Sequence, residues 1–374
     1  VIAILLAAWL LVPAAPAAAA PEAQAAPEAP AAPLPADLRE IVELAREAHR
    51  ALGAPPAPGP VLDGPGAPGE WLEIALPAGV LRLREVRSET TLVVPPSTTL
   101  DVSTFAGTIA VQAWTRNDVR VIARHARRDR LQPRLENGTL TVSVVDRAGE
   151  PAFGDVRIFA PETMAMRLSS VESPIDVEGM RAAVEAGSIR GDVYVRQVVG
   201  AVRLHSVEGL VRVIDARGRV QVASINNLVR LERVVGGIDA ESVNGDIQMS
   251  DVESPDVEAS SVNGNVFFLG PFQPRGRYRL ASHSGNLRVG VPVGADVDVS
   301  VRNFRGAFRN GLPAPVGPHG AGQRFTFTLG GGGSSLELQS FQGFIQLLRS
   351  NELSLPQAPP PAPRPPSAPQ AEDR

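Results

Sequence analysis

Catalysis and metal binding need groups that converge, and side chains able to do either are sparse here. The five histidines, His49, His125, His205, His283 and His319, stand in unlike contexts, and no pair has the helix or loop spacing of metal ligands. The chain has no cysteine and its 36 basic residues are all arginine, so thiol and amine nucleophiles are excluded. Serine is plentiful, yet Gly-x-Ser-x-Gly does not occur, and His283-Ser284 is a lone adjacency. Calcium-binding nonapeptide repeats carry a recurring Gly-Gly-x-Gly-x-Asp phrase. Gly236-Gly237-Ile238-Asp239 is the one near match, and Asp246, Asp251, Glu253, Asp256 and Glu258 offer at most a weak surface cation site. No catalytic, cofactor or metal residue is assigned. The formal net charge of -4 argues against nucleic acid as the main partner.

Serine recurs for a different reason. Ser188-Ile189-Arg190-Gly191, Ser206-Val207-Glu208-Gly209, Ser224-Ile225-Asn226-Asn227, Ser242-Val243-Asn244-Gly245 and Ser261-Val262-Asn263-Gly264 are one phrase repeated. Self-similarity at a fixed period marks a stack of units, none of which buries its apolar face alone. The finer period is nine, opened by Gly191, Gly200, Gly209, Gly218, Asn227, Gly236 and Gly245. Apolar residues follow two, four and seven places on, as in Val193, Val195 and Val198. Places two and four share one face of a strand, and the opening Gly or Asn is expected to take a positive φ at a corner.

Serine returns only in alternate units, at Ser170, Ser188, Ser206, Ser224, Ser242 and Ser261, so one coil takes about 18 residues. The serines then form a column at one corner, bonding backbone or one another. Asn226, Asn244 and Asn263 form a second column, either a ladder of side-chain amides or residues that tolerate the left-handed conformation. One residue is added between Val252 and Val257, which predicts a widened corner at Ser254-Pro255.

If places two and four point inward, the third points out. Along one face it reads Tyr194, Arg212, Arg230 and Gln248, beside Leu210, Ile214 and Leu228, which are expected to be exposed. The other face reads Arg203, Gln221, Asp239 and Glu258. The first is a basic stripe with apolar neighbours, suited to an anionic envelope polymer or a protein edge; the plainer reading is a solvated ladder of cross-strand neighbours. Arg124 to Arg130, with five basic or histidine side chains, is expected at a hairpin tip.

Around this repeat the chain divides by composition. Residues 1–20 form an apolar run ending in small residues, read as a secretory signal; the rival reading, an uncleaved anchor, would keep the N-terminus at a membrane. Residues 21–69 are an Ala/Pro-rich tether interrupted by an amphipathic helix at 37–52, whose apolar face is Leu38, Ile41, Val42, Ala45, Ala48 and Leu52. A β domain occupies 70–349, with its most regular repeats at 164–270, and 350–374 is a Pro-rich tail, disordered or extended. Strands are expected at Trp71 to Leu76, Val80 to Val86, Thr91 to Val94, Thr99 to Ser103, Thr108 to Ala113, Val119 to Ala123, Leu140 to Val145 and Val156 to Phe159. Ser282-His283-Ser284-Gly285 and Ser340-Phe341-Gln342-Gly343 open closing coils, and phenylalanines gather there as a plug.

The stretch Leu100 to Val111, the phrase Ser242 to Ile247 and the closing Ser340 to Ile345 resemble the bacterial putative-adhesin β-strand-repeat family, related to head GIN domains. The likeness spans about Glu70 to Arg349. It implies an exported or envelope protein with an adhesin-like role, in some members tied to envelope-stress signalling, and brings no catalytic or ligand residues to carry over. The expected fold is all-β, a right-handed parallel β-solenoid with irregular strand-rich caps at both ends. The expected function is a non-catalytic binding or scaffold module of the bacterial periplasm or cell envelope, its partner an envelope polysaccharide or protein. A sensor acting through a membrane partner and a polysaccharide-processing enzyme are the alternatives.

Overall fold

The computed structural model describes residues 71–76, 79–312 and 324–356, and side chains from residue 86 onward. The expected signal, tether and helix at 37–52 lie outside the described residues, as does the tail from 357. The chain separates into two units, Val1–Gly64 and Pro65–Arg374, and the second holds all that follows.

Every regular element among the described residues is a β-strand. The strands form one sheet of 14 and one of 13, and each repeat gives one strand to each. In the larger sheet Ile175, Val193, Val211, Val229 and Ile247 are successive parallel partners, 18 residues apart. In the smaller, Met166, Val184, Val202, Val220 and Ile238 keep the same step. The alternation explains the burial: Val193, Val195, Val211, Val213, Val229 and Leu231 are fully buried, between them residues that are not. Burying a side chain of this size is worth about 1.5–3 kcal/mol, and stacking identical positions makes one continuous core between the sheets. The extra residue before Val257 is absorbed where expected: Ile238 pairs Val257 at a step of 19, and Ser254 caps the wider bend by accepting from Asp256 N–H at 3.1 Å.

The corners differ from the simple glycine argument. Positive φ falls at Gln197, Asp215, Arg233 and Asp251, and at Gly200, Gly218 and Gly236. Gly191, Gly209, Gly245 and Gly264 are outside that region and are glycine because the coils touch there. A Cβ on Gly209 would stand 1.9 Å from the Gly191 carbonyl oxygen, and one on Gly245 1.9 Å from that of Asn227. The column is a backbone contact that glycine fits without a shift; Asn227 is the one side chain among these positions, its amide held by Glu208 O and Leu228 N–H.

At both ends the chain leaves sequence order. The unit at 99–114 lies between the later units at 139–161 and 166–178, since Leu100 pairs both Leu140 and Met166. The unit at 334–349 lies between 277–291 and 297–310, so Ser340 pairs Ser282 across 58 residues and Asn303 beyond it. The Ser340 phrase is therefore the penultimate layer. Outside these layers pairing turns antiparallel, as between Asp118–Ala126 and Gly154–Pro161, or Val297–Asn303 and Arg324–Leu329. One smaller-sheet edge is Arg130–Glu136, which carries Pro133 and several charges; such an edge resists further pairing. Phe308, Phe325 and Phe327 pack edge to face and stacked at 5.0 to 6.2 Å against the C-terminal end of the core, the expected plug.

Three further boundaries are corrected. Arg124 to Arg130 is no hairpin tip: Asp118–Ala126 belongs to the larger sheet and Arg130–Glu136 to the smaller, so the segment is a crossing between sheets. The two strands expected at 80–94 are one, Gly79–Val93. The domain also runs past Arg349, because Ser350 N–H bonds Val291 O at 3.1 Å and Leu353 is 6% exposed.

Candidate binding face

The outer face of the larger sheet carries the predicted stripe. Asp176, Tyr194, Arg212, Arg230, Gln248, Phe267 and Arg288 are successive cross-strand partners, so the stripe is one straight column. It is not a free basic surface. Arg212 donates to Glu232 Oε1 through Nε and Nη2 at 3.1 and 2.8 Å, and Arg230 donates to the same oxygen. Glu232 is 9% exposed, and the guanidinium side chains are 22% and 20% exposed. Arg196 reaches Asp176 at 2.8 Å and Glu178 at 3.3 Å. Carboxylates two residues or one coil away thus neutralise the stripe, a pairing invisible when only the third place is read.

The apolar neighbours also change. Leu210, expected to be exposed, is 5% exposed, because it is the residue that enters the strand and is held under the corner by its N–H bond to Asp192 Oδ1. Ile214 and Leu228 are half-buried. Tyr194 donates to Asp192 Oδ2 at 3.0 Å, and burial, with the Asp192 charge and hydrogen bond, pushes its hydroxyl up to about 12. Gln248 is 2% exposed and its Oε1 has no partner among the described residues.

The serine column is structural in detail. Ser206 Oγ accepts from Gly209 N–H at 2.9 Å and donates to Gly191 O, one coil back, at 3.4 Å. Ser242 and Ser340 accept in the same way, and Ser261 and Ser282 donate to Gly245 and Gly264 carbonyls at 3.0 and 2.9 Å. Ser188 donates to Ser173 O, Ser170 accepts from Ser173 N–H, and Ser224 donates to Asn227 O within its own turn. Each buried hydroxyl satisfies backbone that a corner would orphan. Of the two readings of the asparagines, the amide ladder is the structure: Asn244 Nδ2 donates to Asn226 Oδ1 and Asn263 Nδ2 to Asn244 Oδ1, both at 2.8 Å, and none of the three has positive φ. A second ladder escaped the sequence reading, running from Asp246 through Asn265 and Asn286 to Phe344 N–H. Its signal was present, since all three residues immediately precede the apolar place two.

The other candidates are dispersed. His125 is buried against Ser88 Oγ at 2.8 Å, His205 lies over Gly187, and His283 stacks on Phe341 at 4.6 Å. Asp256 and Glu258 face Arg277 and Arg279 at 3.5 and 3.6 Å, and no three metal-ligating side chains converge among the described residues.

Beyond Gln248 the column turns aromatic and cationic, which sequence reading missed. Arg288 lies 5.6 Å from the Phe267 ring and 5.4 Å from Phe344, and Arg309 lies 5.3 Å from Phe344. Reading the third place onward through Val266 and Leu287 would have reached Phe267 and Arg288. Arg309 and Phe344 come from the interleaved C-terminal layers and have no period to announce them.

Fold and face define an all-β repeat protein whose polar side chains tie coil to coil. No family model matches the sequence, and no curated protein matches it. Solved structures that resemble it include a putative adhesin from Parabacteroides merdae ATCC 43184, 9% identical over 70% of this chain and 96% of that one, with a TM-score of 0.39. A putative adhesin from Bacteroides fragilis NCTC 9343 is 12% identical over 70% and 97%, at 0.36. A protein described as a putative lipid binding protein, from Parabacteroides distasonis ATCC 8503, is 10% identical over 70% and 96%, at 0.31. The adhesin description is shared with the family that the repeat phrases resemble. At these identities and scores, function is decided by the chemistry of the surface.

Proposed function

We propose that this chain is a non-catalytic, adhesin-like binding or scaffold module of the bacterial cell envelope, built as a right-handed parallel β-solenoid of about 18 residues per central coil. The observation that carries the reading is the commitment of the repeated polar groups: the serine hydroxyls of every coil and the amides of Asn226, Asn244 and Asn263 spend hydrogen bonds on the backbone of their own corner and on neighbouring coils. A face built this way is rigid and long, and offers recognition along its length. The apolar run at 1–20 supports export. The test is co-sedimentation of the purified full chain with bacterial cell-wall and outer-envelope fractions, alongside release of reducing sugar from the same material. Binding without release is the expected result. Sugar release that grows with protein concentration would make the module an enzyme.

A further inference from the structure

At the C-terminal end several arginines meet aromatic rings rather than carboxylates. In the central coils Arg196, Arg212 and Arg230 of the larger sheet each meet a carboxylate, although among the described residues Arg217 at the end of its strand does not. Arg288, Arg305 and Arg309 take part in none of the ion pairs among the described residues. The adjoining residues 313–323 contain no Asp or Glu. Instead these arginines flank rings. Arg288 and Arg309 both pair with Gln346, from opposite sides of that middle strand, and both guanidiniums stand over the ring of Phe344, the residue immediately before the strand. Arg305 lies 5.6 Å from Phe341, whose own neighbours are His283 at 4.6 Å and Phe304 at 5.4 Å. Arg288 is half-buried with Nε unpartnered, while Arg305 and Arg309 are exposed.

A second feature leads into this cluster. The amide ladder continues as one exposed column, Asn226, Asn244, Asn263, Ser284, Gln342 and Arg305, each backbone N–H bonded to the preceding layer. At the strand spacing its five steps cover about 24 Å. Five neutral hydrogen-bonding side chains in line, ending in Arg305, with Arg288 and Arg309 on the larger sheet two strand spacings or about 10 Å apart, complement a polymer that is rich in hydroxyls and carries intermittent negative charge. Beside them runs a half-buried apolar column, Ile225, Val243 and Val262, continuing into the exposed ring of His283, a surface for sugar C–H groups. Nucleic acid fits poorly, because bases need free ring faces. Here Phe344 is covered by two guanidiniums and Phe341 by two rings, and the chain's net charge is -4.

We infer that the C-terminal coils bind an acidic polysaccharide, its hydroxyl-bearing run along the column from Asn226 to Gln342 and its oxyanions on Arg305, Arg309 and Arg288. This rests on the binding-module reading and gives it a ligand class and a place. The guanidinium edges donate to carboxylate or phosphate-ester oxygens, and the flanking rings hold them extended.

The experiment measures binding of the full chain to polygalacturonate, to its methyl ester, to inorganic polyphosphate and to oligo-dT, in wild type, R305Q/R309Q, R288Q and R277Q. Arg305 and Arg309 are exposed, so their variant keeps the fold even if R288Q does not; Arg277 is an exposed control, paired with Asp256. Expected are binding to polygalacturonate that weakens as salt rises, a loss of roughly tenfold or more in R305Q/R309Q, and a similar loss on esterification, with R277Q unchanged. Polyphosphate binding as tight as polygalacturonate would assign the oxyanion without the sugar and overturn the polysaccharide. Oligo-dT binding as tight would do the same, as would an R305Q/R309Q variant that binds like wild type. If wild type and R305Q/R309Q bind polygalacturonate alike, or neither binds it, while both co-sediment equally with envelope fractions, this inference falls and the module reading stands. If wild type binds neither fractions nor polymer, both fall.

Discussion

Glu232 is the residue on which the character of the central outer face turns, and replacing it by Gln tests that directly. Its carboxylate is 9% exposed and receives three guanidinium N–H bonds, two from Arg212 at 3.1 and 2.8 Å and one from Arg230. E232Q keeps the shape and an acceptor but removes the charge, leaving two cations on adjacent strands, about 4.8 Å apart in backbone spacing. Breaking a fully buried pair costs about 3–5 kcal/mol and an exposed one about 0–1. Arginine side chains 20 to 22% exposed place this one between, near 2 kcal/mol. For a domain of this size that lowers the melting temperature by about 5 °C. The assay is thermal unfolding by circular dichroism of E232Q, R230Q and the double variant. The double variant should be less destabilised than the sum of the singles by about 1 kcal/mol, because removing one cation relieves the other. On a heparin column E232Q should elute at higher salt than wild type, since the sequence's basic stripe is then uncovered. A melting temperature within about 1 °C of wild type, with additive singles, would show that solvent and not Glu232 holds the guanidiniums, and would refute the reasoning.

Other expectations follow from the same geometry. G245A should cost about 3 kcal/mol or more in urea unfolding, its new Cβ being 1.9 Å from the Asn227 carbonyl oxygen, whereas G237A, with nothing nearer than Arg219 Cγ at 4.0 Å, should be neutral or slightly stabilising; equal effects would remove the close-contact explanation. Both tyrosines of the chain are held above the ordinary phenol range, Tyr194 to about 12 by burial first and then Asp192, and Tyr278 by burial. Phenolate absorbance should therefore stay low at pH 10, with D192N lowering the Tyr194 step. Because the folded value lies above the unfolded one, this contribution to stability is full below about pH 10 and is lost as pH rises through about 12. Asp129 is raised by burial against the weaker pull of Arg128 and His125, and its Oδ1 accepts no hydrogen bond among the described residues, with Arg128 Nε 3.6 Å away. The stability linked to that shift is present below its ordinary value and lost as pH rises through the raised one, so D129N should increase the melting temperature at neutral pH by about 2 °C, a gain that fades toward about pH 4. An undiminished gain in acid would assign it to packing.

How much of this was legible depends on which contacts repeat. Within 164–270 every residue meets its counterpart one coil away, so a contact is also a period. For that reason the strands, the serine column, the inward valines and the widened corner at Ser254 could be read from spacing alone. Even there spacing names a position without its cause: Gly209 looked like a residue chosen for its backbone angle and is chosen for contact. The stripe at Arg212 and Arg230 was found and its ion pairs were not, because Glu232 sits at place five of one coil and reaches across to the coil before it. Leu210 was placed on the right column and on the wrong side of the surface.

At the ends no period exists. The layers at 99–114 and 334–349 are inserted between units distant in the chain, and only the folded chain decides that Ser340 meets Ser282. The same interleaving brings Arg309 and Arg288 to the one ring of Phe344 and joins Arg305 to the asparagine column. Sequence by itself determined the repeat and its hydrogen-bonded corners, because nearest-neighbour stacking writes each contact at a constant offset. Tertiary structure alone decided the order of the terminal layers, the neutralisation of the central face and the gathering of unpaired arginines at one end, because those depend on side chains meeting at separations that nothing in the local pattern encodes.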